Sequence, residues 1–128
     1  MTTDRVEAVR QGMNERGIDA LLVSVGSDLP YLTGYHAMPL ERITALVLPA
    51  KGEPALFVPA LEAPRVQTTV AVVPWDETDD PIGRMAGLLP ADGTIAVGDQ
   101  MWASVLIAFQ RHLPAATFID AEPLMAPL

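Results

Sequence analysis

Leu32-Thr33-Gly34-Tyr35-His36-Ala37-Met38-Pro39-Leu40-Glu41-Arg42-Ile43-Thr44-Ala45-Leu46-Val47-Leu48-Pro49 sits at the centre of the stretch Ser27 to Arg65. A glycine turn, a loop bearing a histidine, a charged pair and an aliphatic run follow one another there. The run Ile43 to Leu48 leads through Pro49-Ala50-Lys51-Gly52-Glu53-Pro54 into a second run, Ala55 to Val58. A Lys-Gly-Glu centre suits a hairpin with glycine in a conformation other residues avoid, so the two runs are predicted to pair antiparallel. Pro59 closes the second strand.

Upstream, Asp4-Arg5-Val6-Glu7 has capping-box spacing, and Val6, Val9 and Met13 recur on one helical face before Gly17. The predicted helix runs from Asp4 to Arg16, with Arg5, Arg10 and Glu15 turned to solvent. Ile18 to Val25 is almost unbroken aliphatic, the pattern of a strand covered on both faces. Leu29 to Thr33 reads as one short turn of helix, capped by Ser27 or Asp28 and stopped at Gly34.

Downstream, Leu61 to Gln67 suits a short helix with Pro64 in its first turn. Val70 to Val73 reads as a strand ended by Pro74, followed by the polar loop Trp75 to Pro81. Asp80 before Pro81 has the form of an N-cap with proline at the first helical position. The helix it starts carries Ile82, Met85, Ala86 and Leu89 inward and stops at Pro90. Asp92-Gly93 is a turn and Thr94 to Val97 a strand. Trp102, Val105, Leu106, Phe109 and Leu113 then mark an amphipathic helix, the clearest in the chain. Thr117 to Ile119 is a last strand, and from Ala121 onward no element closes. Short strands alternating with helices, interrupted by one hairpin, predict an α/β domain with a mixed sheet.

The chain has 128 residues, half of them hydrophobic but only 5% aromatic, which predicts one domain with an aliphatic core. Twelve prolines predict short, punctuated elements. No apolar run reaches the length of a membrane span, and acidic Asp4 and Glu7 stand where a secretory signal is basic. The chain therefore reads as soluble and cytoplasmic. The absence of cysteine excludes disulfides and thiolate metal sites. A net charge of -8, with the basic residues scattered, disfavours nucleic acid as a partner. Its stop at Leu128, inside an apolar, element-like stretch, suggests a larger parent protein.

Each candidate chemistry in the sequence has a plainer role beside it. His36 and His112 are the only imidazoles, and no His-Glu-x-x-His occurs. His112 ends the amphipathic helix, where an imidazolium favours the negative end of the helix dipole. Asp76, Glu77, Asp79 and Asp80 lack the central glycine of a calcium loop and read as a solvated loop plus helix cap. Ser24 and Ser27 lack a nucleophile elbow, and no phosphate-binding glycine loop appears. His36, by contrast, stands off any periodic face, in a loop of the kind that carries function. Its plain role is that of an ordinary surface histidine. Glu41 and Arg42 either pair with their surroundings as a strand-edge salt bridge, or Arg42 faces a pocket and holds a carboxylate bidentately.

Tyr31-Leu32-Thr33-Gly34-Tyr35, then Glu41 through Pro49, then Gly52 through Glu62 resemble the N-terminal domain of the creatinase/prolidase group of metallopeptidases. Gly17-Ile18-Asp19-Ala20-Leu21-Leu22, Trp75 through Pro81 and Asp99-Gln100-Met101-Trp102 are similar to the same domain in bacterial Xaa-Pro dipeptidases. The resemblance covers nearly the whole chain. It implies a ribonuclease-H-like, three-layer domain over residues 1–128, with a mixed sheet of five or six strands whose second strand is antiparallel. It places the chemistry in a second, pita-bread domain, where Asp, His and Glu side chains bind two divalent metals (Mn, Co or Zn) that activate water on an Xaa-Pro bond.

Those ligand positions are not in this sequence, so no catalytic residue and no metal ligand is assigned to it. The resemblance implies a non-catalytic domain partnered by its own C-terminal catalytic domain in a homodimer that acts on short proline-containing peptides. It further implies that this domain shapes the active-site mouth, and by position Tyr35, His36 and Arg42 are the residues to reach it. The alternative is a self-standing acidic binding or dimerisation module with the same fold and no peptidase activity. A metal site built from His36 and Asp76 to Asp80 is a third reading, disfavoured by its incomplete ligand set.

Overall fold

The computed structural model describes residues 2–37 and 42–127. Its elements, in order, are α1 (Thr2–Arg16), β1 (Ala20–Val23), α2 (Asp28–Thr33), β2 (Ala45–Pro49), β3 (Ala55–Pro59), a 3-10 turn (Ala63–Arg65), β4 (Ala71–Trp75), α3 (Pro81–Ala86), β5 (Thr94–Val97), α4 (Ala103–His112), β6 (Thr117–Asp120) and α5 (Glu122–Met125). The strands form one six-stranded sheet in the order β4-β3-β2-β1-β5-β6.

β2 runs antiparallel to both β1 and β3, while β1–β5, β5–β6 and β3–β4 are parallel. The expected hairpin is therefore present, with Ala45 opposite Phe57, and Gly52 at its turn has φ 125, which strains any side chain. The second strand is the reversed one, as the resemblance implies.

Every residue of β1 is buried, because the sheet is covered on both faces. Leu21 and Val23 join Val6, Val9, Met13, Leu29, Leu32 and Leu124 in the layer under α1, α2 and α5. Ala20 and Leu22 pack on the other side with Met85, Phe109 and Leu113, under α3 and α4. The alternation of strand side chains thus divides one aliphatic sequence between two cores.

Several expectations need correction. Helix α1 begins at Thr2, so Asp4 lies in its first turn rather than capping it, near the positive end of the helix dipole. Arg5 is not turned to solvent: its Nη1 donates to the Tyr31 carbonyl at 3.1 Å and its guanidinium lies 4.3 Å from the Tyr31 ring centre. Arg10 likewise donates to the Gly52 carbonyl, fastening α1 to the hairpin turn.

Ser27 is the N-cap of α2 but makes no side-chain cap bond. The helix expected over Leu61 to Gln67 shrinks to the 3-10 turn. Strand β4 runs on through Pro74 to Trp75, which is allowed because β4 is an edge strand and proline's missing donor costs little there.

Asp80 caps α3 as expected, accepting from Gly83 N at 3.1 Å, yet the helix ends at Ala86 and Leu89 is buried beyond it. Trp102 is the exposed N-cap of α4, outside the helix that was expected to bury it. Beyond Ala121 the chain closes α5, whose Leu124 is buried against the α1 side of the core.

Candidate functional site

Because β2 is antiparallel, the segments leaving β1 and β3 and the one entering β2 meet at one end of the sheet. The parallel register of β3 and β4 brings Pro59 beside Trp75 at that same end. Backbone pairing alone therefore places the segments holding Tyr35, Arg42 and Glu62 together. Chain ends of parallel strands are where open α/β sheets bind ligands.

Arg42 ion-pairs with Glu77 of the polar loop. The pair stands over a cavity of about 210 Å³ lined by Arg42, Pro59, Ala60, Leu61, Trp75, Asp76 and Glu77. Trp75, nearly buried, is its fixed wall: the indole Nε1–H donates to the Ile43 carbonyl at 2.9 Å. Leu61 is 78% exposed at the rim. The Arg42–Glu77 pair is exposed, which is the form of a surface salt bridge, and Arg42 at the same time lines the cavity. Glu41 and its part in a strand-edge pair lie outside the described residues.

Tyr35 follows Gly34, whose φ of 78 ends α2 in the left-handed region, and its N–H donates to Thr33 Oγ1 at 3.1 Å. Burial first, then the Glu62 carboxylate, raise the Tyr35 phenol above its ordinary pKa, and Arg65 pulls it partly back. Glu62 and Arg65 are themselves ion-paired. Thus Tyr35 and Arg42 both face the short segment Pro59–Arg65, Tyr35 at its far end and Arg42 at its start. His36 is exposed, as its position off any periodic face predicts.

The acidic loop is organised by its own backbone. Asp76 Oδ1 accepts from Thr78 Oγ1 at 2.6 Å and from Thr78 N at 2.9 Å, and these bonds hold its pKa below the ordinary carboxylate value. Asp79 Oδ2 accepts from Asp76 N at 2.8 Å and lies 3.4 Å from Arg84 Nη1. His112 ends α4 with its Nε2 3.8 Å from Asp80 Oδ2. Among the described residues no three His, Asp or Glu side chains gather so as to hold an ion; Asp76, Asp79 and Asp80 are committed to turn and cap bonds and Glu77 to its ion pair with Arg42. A dinuclear metal centre does not fit these residues.

A second acidic pair was not anticipated. Asp28, at the start of α2, and Asp99, after β5, lie close enough that burial of Asp28 first, and the charge of Asp99 second, raise the Asp28 pKa. Nearby, Gln100 Oε1 accepts from Ser27 N at 3.0 Å and crowds Gly26, whose φ is 132. The pairing joins residues far apart in sequence, so no local pattern signals it.

An α/β domain with one reversed strand inside an otherwise parallel sheet, and a candidate site at the parallel strand ends, describes the class. The sequence model of the Creatinase/Prolidase N-terminal domain matches residues 5–128, and the chain belongs to that family. It is 36% identical over 119 residues to the probable dipeptidase PepE of Mycobacterium tuberculosis, an alignment covering 88% of this chain and 30% of that protein.

The crystal structure of dipeptidase PepE from Mycobacterium ulcerans superposes with a TM-score of 0.89 at 32% identity, over 99% of this chain and 36% of that one. The N-terminal domain of an X-Pro dipeptidase from Streptococcus pyogenes shares the fold, with a TM-score of 0.85 at 23% identity over 98% of each chain. The chain thus spans about a third of the length of the dipeptidases it matches. Among the described residues no helix is long and apolar enough to cross a membrane.

Proposed function

We propose that this chain is the non-catalytic N-terminal domain of a cytoplasmic Xaa-Pro dipeptidase or aminopeptidase. It shapes the active-site mouth and supplies dimer contacts, while a C-terminal domain carries the chemistry. That domain binds two divalent metals (Mn, Co or Zn), which activate water against short proline-containing peptides.

The observation that carries this reading is one of coverage. A family match runs along almost the entire chain, yet the chain accounts for only 30% of probable dipeptidase PepE. In this reading Tyr35, His36 and Arg42 face the mouth. Their shared end of the sheet, the exposure of His36 and Arg42 and the cavity under Arg42 support that role. Arg42 is already engaged by one carboxylate, that of Glu77, and a peptide carboxylate can take the same place.

The test is a panel of Xaa-Pro dipeptides and longer peptides with the longer polypeptide this reading requires, comparing wild type with His36→Ala and Arg42→Ala. The expected result is an altered KM or an altered length preference with the metal content unchanged. Identical kinetics across the panel for both variants would remove these residues from the mouth.

A further inference from the structure

We infer that the free edge of β6 is a self-pairing surface on which a second copy of this chain docks antiparallel, so that the two sheets continue across a twofold axis. The inference rests on the dimer contacts proposed above and gives them a location.

The two edges of the sheet are not alike. β4 carries Pro74, which has no N–H to offer an incoming strand. β6 carries no proline and is the other edge. Its Thr117 N–H donates to Gly93 O at 2.9 Å and its neighbour Ala121 N–H to Val97 O at 2.8 Å, so the odd-numbered backbone groups face β5. By the alternation of a strand, the N–H and C=O groups of Phe118 and Asp120 point away from the sheet. An unpaired strand edge of this kind is a template for another strand.

Ile119 on β6 is 36% exposed. It lines a groove of about 370 Å³ whose other walls include Met101, Leu106, Gln110, Phe118 and Asp120, so apolar side chains of α4 and β6 stand open beside the unpaired strand edge.

Charge selects the occupant. Arg111 closes α4 just before the start of β6 and has no ion pair among the described residues, whereas His112 beside it already faces Asp80. Asp120 and Glu122 stand at the other end of β6. An antiparallel second copy brings its acidic end to the basic end of the first, and the reverse, whereas a parallel one stacks like charges. The face is therefore complementary to itself, as a twofold contact requires.

The register follows from the free groups. Phe118 of each copy exchanges backbone hydrogen bonds with Asp120 of the other, and Ile119 meets Ile119 at the axis in a non-hydrogen-bonded position, about 4.5 Å apart at Cα. That spacing is within reach of a disulfide.

The experiment uses the 128-residue chain, whose fold is matched by a structure of a single N-terminal domain. Because the sequence has no cysteine, Ile119→Cys introduces a lone thiol, and Leu61→Cys places one at the other exposed apolar site. Under mild oxidation Ile119→Cys is expected to convert almost fully to a covalent dimer while Leu61→Cys remains monomeric. In sedimentation, wild type is expected to be dimeric and Ile119→Lys monomeric, with unchanged circular dichroism.

If wild type and Ile119→Lys are both dimers and Ile119→Cys does not cross-link, the β6 edge is wrong although dimerisation stands. If wild type is a monomer at all concentrations, both the edge and the proposed dimer contacts fall, while the peptidase reading is decided separately by turnover.

Discussion

Trp75 and Ile43 are joined by a single hydrogen bond, indole Nε1–H to backbone carbonyl at 2.9 Å, which ties the end of the edge strand β4 to the segment entering β2. Both partners are buried, so neither finds water if the bond is lost. Trp75→Phe leaves the Ile43 carbonyl without its donor and is expected to lower stability by about 1–3 kcal/mol. Urea unfolding with an unchanged slope checks it, and a loss below the error of the measurement would show that the bond is replaced.

Gly34 ends α2 at φ 78 and aims the Tyr35–His36 loop. Gly34→Ala forces a Cβ into the left-handed region at a cost of about 1–2 kcal/mol. Thermal unfolding of the variant is expected to show that loss. In the longer polypeptide, the same change should also disturb peptide KM more than a surface substitution of equal thermodynamic cost.

Asp80 receives the Gly83 N–H and lies beside His112. Asp80→Ala is expected to destabilise by about 0.5–2 kcal/mol through loss of the cap. Glu77→Gln removes only an exposed ion pair with Arg42, so less than about 1 kcal/mol is expected. Denaturant curves of the two variants should therefore rank Asp80→Ala as the more damaging.

Asp28 gives a pH test with a definite sign. Its folded pKa lies above the ordinary value because of burial and the neighbouring Asp99, so the folded state holds the proton more tightly than the unfolded chain. The favourable contribution is complete below the unfolded pKa of about 3.9 and is lost as pH rises through the folded value. Asp28→Asn is expected to raise the melting temperature relative to wild type at pH 7, with the difference shrinking toward pH 3. A difference independent of pH would contradict the assignment.

Much of the fold was legible because aliphatic runs punctuated by glycine and proline have few other uses. Ala20–Val23 and the Ala45–Phe57 hairpin follow directly from continuous apolar pattern and Gly52. What pattern misjudged depends on neighbours. Pro74 looked like a strand end, but an edge position tolerates it. Trp102 fitted the helical period, yet that period cannot tell an N-cap from an inward face. Glu122–Met125 is too short to display any period.

At the candidate site, His36 could be singled out from its loop, whereas the partnership of Arg42 with Glu77 and of Asp28 with Asp99 exists only once distant segments fold together.

The most direct measurement is hydrolysis of an Xaa-Pro dipeptide, with added manganese or cobalt, by the purified 128-residue chain and by the longer polypeptide side by side. The account predicts chelator-sensitive turnover by the longer polypeptide and none by the 128-residue chain. Chelator-sensitive turnover that stays with the 128-residue chain through successive purification steps, or its absence from both, would contradict it.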